Sequence, residues 1–182
     1  HIESDNAEVD PVEGIGALNF LAIDDLPAKT EGEDIHPESI IRLPTKDGTA
    51  QLPSIKRHPE DPFLQQLHSS GHPWVVLTDD HDLPCLVIDA DGFLRAALLD
   101  LDRAFNPHQY CHSPIVFDDD SVPLYEVILQ MKLNQRGDHT LDNAIVKDVV
   151  LVWTEFTRKI ITGADIYSRL LKGITDRSRG HT

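Results

Sequence analysis

The chain has 182 residues, 40% hydrophobic and 26% charged, a composition that fits one soluble domain or two small ones sharing a core. Its formal net charge of −15 excludes a nucleic-acid phosphate binder, which needs clustered lysine and arginine, and disfavours docking on anionic lipid. No apolar run approaches the roughly 18 residues of a membrane span, nothing resembles a signal peptide, and two cysteines make no disulfide framework, so cytosolic exposure is expected.

Acidic residues dominate the first part of the chain. Residues 1–38 carry eleven of them against Lys29 alone. Such a charge run predicts a solvated leader or a linker, and attraction of a cation is the alternative. Because the chain begins with His1 and its single methionine is Met131, we expect a fragment of a longer protein.

The predicted elements then follow in chain order as one unit that occurs twice. In each copy an apolar strand precedes a helix that has proline at its start, and a hairpin and an amphipathic helix follow. The predicted ranges of the first copy are 52–55, 62–68, 74–78, 85–88 and 91–100. Those of the second copy are 114–117, 123–133, 149–153, 159–161 and 165–172.

From Val75 to about Leu99 the first copy aligns without gaps on the second at an offset of 74 residues, which places Asp91 on Asp165. Further upstream the offset is 61, so the second copy is expected to carry an insertion at 134–148. One unit exposes too much apolar surface to stand alone, whereas two related by a pseudo-dyad can bury it. The prediction is an α/β (α+β) fold with a leader (1–38), unit 1 (39–105), unit 2 (106–174) and a tail (175–182).

A Thr-x-x-Asp motif lies between the last strand and the last helix of unit 2. Thr162 and Asp165 can cap the helix, with Asp165 completing a box-like cap. They can also hold a ligand, because a carboxylate accepts from vicinal hydroxyls and a helix N-terminus offers free N–H groups. At the corresponding positions of unit 1, the gapless alignment gives Ile88 and Asp91. A shift by one residue gives Asp89 and Gly92, and either alignment weakens the first site.

This doubled unit resembles a pair of cystathionine-β-synthase (CBS) domains, the Bateman module. The resemblance covers about residues 39–174 and includes the Thr162–Asp165 motif. More narrowly, "GALNFLAIDDLP" and "SIIRLP" are similar to the segment that leads into the CBS pair of magnesium and cobalt efflux transporters, the cyclin-M and hemolysin-C-like group.

The resemblance implies a regulatory fragment on the cytosolic side of a membrane domain, able to form a homodimer. It implies an adenosine nucleotide, ATP or AMP, with or without Mg²⁺, whose ribose is held by Thr162 and Asp165. The alternatives are a dimerisation or interaction module that binds no nucleotide and a regulatory fragment of a soluble enzyme. The resemblance implies Ile115 and Ile161 around the adenine and Arg158, Lys159 and Arg169 near the phosphates. Ser113, just before the strand of Ile115, is a further residue of the implied site.

Other constellations give weaker hypotheses. His108, Cys111 and His112 are residue types that suit zinc, but they lie on the link between the units without a second cluster at ligand spacing. Three consecutive carboxylates before a predicted helix start suit its dipole, or a hydrated Mg²⁺; they are Asp118, Asp119 and Asp120. No catalytic motif of the common hydrolase, P-loop or dinucleotide-binding types is present, so no enzyme is expected.

Overall fold

Short strands alternate with helices along the residues that the computed structural model describes, 26–137 and 149–179. The strands are β1 (Glu33–Asp34), β2 (Ile40–Arg42), β3 (Thr45–Lys46), β4 (Thr49–Ala50), β5 (Trp74–Thr78), β6 (Pro84–Asp89), β7 (Cys111–His112), β8 (Ile115–Phe117), β9 (Val149–Trp153) and β10 (Arg158–Thr162). The helices are α1 (Pro62–Ser70), α2 (Ala90–Leu98), α3 (Leu124–Gly137) and α4 (Gly163–Arg179). Short 3₁₀ turns lie at Ala28–Thr30, Pro37–Ser39 and Pro107–Tyr110. Among these residues no helix is both long and apolar enough to cross a membrane.

Two four-stranded sheets have the same order and the same pairing directions. Sheet 1 runs β2-β5-β6-β7, and sheet 2 runs β8-β9-β10-β1. In each sheet the first pair is parallel and the other two pairs are antiparallel. The register agrees as well, because Ile40 lies opposite Val76 and Ile115 lies opposite Val150. This confirms two pseudo-symmetric β-α-β-β-α units.

The first strand of unit 1 is not where the sequence placed it. Residues 52–55 form no strand, and β2 takes the position that β8 has in unit 2. Residues 43–61, which include the β3–β4 hairpin, separate β2 from α1, whereas only 118–123 separate β8 from α3. Unit 1 therefore has an insertion of its own here. The insertion expected in unit 2 falls on the end of α3 and on residues 138–148, which lie outside the described residues.

The other predicted elements are present within a few residues of their predicted ranges, whereas β1, β3, β4 and β7 were not predicted. Both hairpins and all four helices are present, and α4 continues to Arg179, beyond the predicted end at 172. Asp61 precedes Pro62 and caps α1, which ends at Gly71 with a left-handed φ of 67°. A left-handed residue after a helix is best supplied by glycine, so this end is encoded locally.

The apolar strands are buried on both faces. In β5, Val75 and Leu77 pack with α1 and α2, whereas Val76 faces the other way. In β9, Val150 and Val152 pack within unit 2, whereas Leu151 faces sheet 1. Successive side chains of a strand point to opposite faces, so the run "VVL" supplies two cores at once. The core shared by the two sheets consists of Ile35, Val76, Val87, Val149, Leu151, Trp153 and Ile160.

Residues 26–35, called the strap below, cross unit 2 before unit 1 begins. The strap bonds to the start of α3 through Ala28 N–H to Val122 O and Leu124 N–H to Leu26 O, both 2.8 Å. Its strand β1 then pairs with β10. Gly32 has a φ of 72°, and a Cβ there would lie 2.1 Å from the Ile160 oxygen, so only glycine fits. The expectation of a solvated leader is therefore wrong for this part of residues 1–38; residues 1–25 lie outside the described part.

Candidate functional site

Thr162 and Asp165 form a closed capping box at the start of α4. The Asp165 Oδ2 atom accepts bonds from the Thr162 backbone N–H at 2.8 Å and from the Thr162 hydroxyl at 3.0 Å. The Asp165 N–H donates back to the hydroxyl at 3.4 Å. Reciprocal bonds of this kind satisfy N–H groups that a helix start otherwise leaves free. Capping is therefore one role of this pair.

The first turn of α4 is open to its surroundings, in contrast to that of α2. Gly163, the first residue of α4, is exposed, and a Cβ added there meets no atom within 4 Å. Ala90, the first residue of α2, is only 2% exposed. Further into that turn a Cβ on Gly92 would lie 3.0 Å from the Tyr110 ring. Ala90 and Gly92 of α2 are thus covered by neighbouring residues, whereas no residue that the structure describes covers Gly163 of α4.

Unit 1 lacks the Thr–Asp pair in either alignment. By strand register Ile88 corresponds to Thr162, because Ile88 pairs with Val75 as Thr162 pairs with Val149. By helix position Asp89 is the counterpart, because it precedes α2 and accepts from the Gly92 N–H at 3.1 Å. The two alignments differ because β6 extends one residue further before its helix. Ile88 is fully buried, and Asp91 is exposed in the first turn of α2.

Two β-α-β-β-α units, equal strand orders and a Thr-x-x-Asp motif between β10 and α4 are now established together. The chain has the fold of a tandem CBS pair. The last strand of each sheet comes from outside its own unit. β1, which precedes unit 1, is the edge strand of sheet 2, and β7, which follows unit 1, is the edge strand of sheet 1.

No protein-family model matches the sequence, and no curated protein matches it either. Among solved structures, the chain is similar to a hemolysin-like protein containing a CBS domain from Oenococcus oeni PSU, at 13% identity and a TM-score of 0.46, covering 85% of this chain and 96% of that chain. It is similar to a CBS-domain pair with bound AMP from Klebsiella pneumoniae, at 16% identity and 0.44, covering 80% and 98%. It is also similar to the CBS domain of a bacterial CNNM/CorC family Mg²⁺ transporter in complex with ATP, at 14% and 0.46, covering 88% and 98%. The ligands named here are those of the compared proteins.

Arg158, expected near the phosphates, lies at the junction of the two units. Its Nη2 atom pairs with Asp82 Oδ2 at 2.8 Å, and its guanidinium lies 3.8 Å from the centre of the Trp153 ring. The Trp153 indole N–H donates to the Asp82 carbonyl at 2.9 Å. Asp82 belongs to the β5–β6 turn of unit 1. Arg158 therefore joins the units rather than facing the motif alone.

Lys159 and Arg169, the other two expected cations, are both paired with the strap. Lys159 Nζ lies 3.7 Å from Asp34 Oδ1, and Arg169 Nε lies 3.4 Å from Glu31 Oε1. Asp34 stands directly opposite Lys159 in the β1–β10 ladder. All three cations predicted from the sequence thus have carboxylate partners in the structure.

The apolar residues expected around an adenine point into the core of unit 2. Ile161 is fully buried there, and the half-buried Ile115 packs against the same cluster. Ser113 is half-buried just before β8. In this arrangement Ile161 offers no surface to a ligand, so a bound adenine would need other neighbours or a rearrangement.

The acidic run before α3 does not form a cluster of metal ligands. Asp119 Oδ1 accepts from the Ser121 hydroxyl and N–H, which lowers the pKa of Asp119, and Asp120 accepts from the Thr154 hydroxyl at 2.9 Å. Asp118 is exposed. Over the residues described, no group of three or more His, Cys, Asp or Glu side chains is placed to hold a metal ion. Burial raises the pKa of Cys111 to about 11, which disfavours the thiolate that zinc requires.

The sequence did not reveal Glu31, Asp34 and Asp82 as partners of the site. Each lies in a stretch rich in acidic residues, and each is far from its cation along the chain. Nothing in their local pattern separates them from neighbours such as Glu33. Asp82 has a left-handed φ of 62°, a conformation that Asp and Asn tolerate better than most residues, but only the structure shows it.

Proposed function

We propose that this CBS pair is a regulatory module that binds an adenine nucleotide, ATP or AMP, at the start of α4. The single observation that carries the proposal is the open position of Gly163 beside the Thr162–Asp165 pair, in contrast to Ala90 and Gly92 of α2, which neighbouring residues cover. One competent site in unit 2 and a degenerate one in unit 1 follow from this difference. Coupling to an upstream membrane domain of a magnesium or cobalt transporter is part of the same proposal.

The capping box leaves chemistry for a ligand. Only Oδ2 of Asp165 takes part in it, and no residue of the described part donates to Oδ1. A carboxylate oxygen has two acceptor positions, which suits the vicinal hydroxyls of a ribose. The Thr162 hydroxyl, which donates to Asp165, can still accept. The same pair can therefore cap the helix and hold a sugar.

A regulatory role requires that the nucleotide distinguish two arrangements of the protein. A ligand shifts a conformational equilibrium only by its difference in affinity for the two states. The start of α4 directly follows β10, which carries Arg158 at the junction of the units. One turn beyond Asp165 on α4, Arg169 contacts the strap. Binding there is positioned to alter both connections. The expected homodimer stays a prediction.

Calorimetric titration with ATP and with AMP, each with and without Mg²⁺, tests the proposal. We expect saturable binding by the wild type. We expect Asp165→Asn to weaken it about tenfold or more, because a hydrogen bond to a charged group contributes about 1.5–3 kcal/mol. Asp91→Asn is the matched control, since it makes the same charge change in the first turn of α2 and should leave affinity unchanged.

Thermal unfolding of each variant shows whether the capping box survives the substitution. Thr162→Ser, which keeps the hydroxyl, should retain binding. No heat for the wild type at millimolar nucleotide would contradict the proposed function and favour an interaction module that binds no nucleotide. Equal binding by the wild type and Asp165→Asn would instead show that the site assignment is wrong.

A further inference from the structure

The strap places two carboxylates on the cations beside the proposed nucleotide site. Glu31 contacts Arg169, and its side chain is only 15% exposed. Asp34 contacts Lys159, whose side chain is likewise only 15% exposed. These acids come from the segment that precedes unit 1, whereas the cations flank the motif of unit 2. The contacts therefore connect the amino-terminal end of the described chain to the site.

Of the two contacts, the one between Glu31 and Arg169 should affect nucleotide binding more, because of where Arg169 lies on α4. Asp165 and Arg169 are four residues apart on α4, so they share one face of the helix. Glu31 thus neutralises the arginine that stands one turn beyond the motif carboxylate. An arginine already paired with a shielded carboxylate is a poor partner for a phosphate until that carboxylate moves.

We propose that the strap and the phosphates of a nucleotide compete for Arg169 and Lys159, so that binding at the Thr162–Asp165 motif loosens the strap from unit 2. This inference rests on the proposed function. Glu31 and Asp34 act as internal anions that hold the strap in place when no ligand is bound. A nucleotide that recruits either cation replaces that carboxylate and weakens the attachment of β1 to β10.

Both ion pairs and a few backbone hydrogen bonds hold the strap around β1 on unit 2. Because the backbone bonds are few, the loss of an ion pair can loosen the strap. β1 pairs over only two residues, Glu33 with Ile160 and Asp34 with Lys159. One further backbone bond follows, from Ile35 N–H to Arg158 O at 2.8 Å. A strand this short gains little stability from its backbone hydrogen bonds alone. The loss of one ion pair should therefore measurably lower the fraction of molecules in which β1 is paired with β10.

The first test compares Glu31→Gln with Glu33→Gln by titration with ATP. Both substitutions remove one negative charge from the strap, but Glu33 is exposed and makes no ion pair within the described residues. Glu31→Gln should raise the affinity about fivefold, the equivalent of about 1 kcal/mol for a partly exposed ion pair. Asp34→Asn should raise it less, because the Asp34 side chain is 89% exposed. Glu33→Gln should leave it unchanged.

The second test is hydrogen exchange of the wild-type strap with and without saturating ATP. The N–H groups of Ala28 and Ile35 should exchange faster when the nucleotide is bound. If the wild type binds ATP, its strap exchange does not increase and Glu31→Gln binds like Glu33→Gln, the competition is wrong and the proposed function stands. If neither wild type nor variants bind nucleotide, both are wrong.

Discussion

At the start of α1, the Asp61 carboxylate accepts three backbone hydrogen bonds. Oδ1 accepts from Phe63 N–H at 2.9 Å and Leu64 N–H at 3.1 Å, and Oδ2 accepts from Lys56 N–H at 2.8 Å. The residue is only 4% exposed. Asp61→Ala should therefore lower the free energy of unfolding by about 1–2 kcal/mol at pH 7, the upper range for a helix N-cap. Urea denaturation measures this.

The loss should depend on pH. Burial raises the pKa of Asp61, but the N–H bonds from Lys56, Leu64 and Phe63 outweigh it, so the pKa is lowered overall. A lowered pKa in the folded state stabilises the protein above the unfolded value of about 3.9, and this stabilisation disappears as pH falls through the folded pKa. The difference between the wild type and Asp61→Ala should shrink below about pH 4. Asp89→Ala, which removes a cap with one bond, is the control and should cost less at pH 7. Equal losses, or a difference independent of pH, would contradict this account.

The four helices and the β5–β6 and β9–β10 hairpins were predicted well because each is encoded by neighbouring residues. Proline after Asp61, glycine after α1 and the apolar spacing of α2 are local signals. β2 was missed because a strand of three residues has no pattern of its own, and residues 52–55 are equally apolar. β1 was missed for a different reason. Two acidic residues form a strand there only because β10 offers an unpaired edge.

The contacts of Arg57 at the end of α2 are a second feature that the local sequence does not reveal. Its guanidinium donates to the carbonyls of Ala96, Ala97, Asp100 and Arg103, and it lies 5.7 Å from the Phe105 ring centre. The last carbonyls of a helix have no partners within it, and a cation there is favourable. Arg57 thus closes the end of α2, which has no glycine cap.

Arg57→Lys should lower the free energy of unfolding by about 1–2 kcal/mol, because lysine is a point charge that cannot bond several carbonyls in a fork. Arg95→Lys is the matched control, an exposed arginine in α2 itself, and should have little effect. Urea denaturation measures both free energies of unfolding, and the m value should stay the same in each variant. If Arg57→Lys is as stable as Arg95→Lys, the carbonyl contacts contribute nothing to the end of α2.

On the scale of the whole molecule, the sequence predicted the duplicated unit and the Thr162–Asp165 motif. It did not predict which carboxylates meet the cations of the site, because that depends on how the sheets face each other. Glu31 reaches Arg169 only through the strap, and Asp82 reaches Arg158 only when units 1 and 2 are docked. Contacts across such distances follow from the packing of Val76, Leu151 and Ile160, not from local charge patterns.

Asp82 connects unit 1 to unit 2 through both its carbonyl and its carboxylate. A substitution of Asp82 therefore shows how much polar contacts stabilise the packing of the two units. Asp82→Asn keeps a residue that tolerates the left-handed φ and leaves the bond from Trp153 in place, but it removes the charge opposite Arg158. Because both side chains are partly exposed, the expected loss in the free energy of unfolding is about 0.5–1 kcal/mol.

The loss should diminish in about 1 M salt, where charges are screened within about 3 Å. Asp47→Asn is the matched control, since Asp47 also has a left-handed φ, 52°, but lies exposed in the β3–β4 turn without an ion pair in the described part of the chain. Urea denaturation at low and high salt compares the two variants. A loss that is equal for both, or that persists unchanged in salt, would mean that the apolar core between the sheets docks the units without help from the Asp82–Arg158 pair.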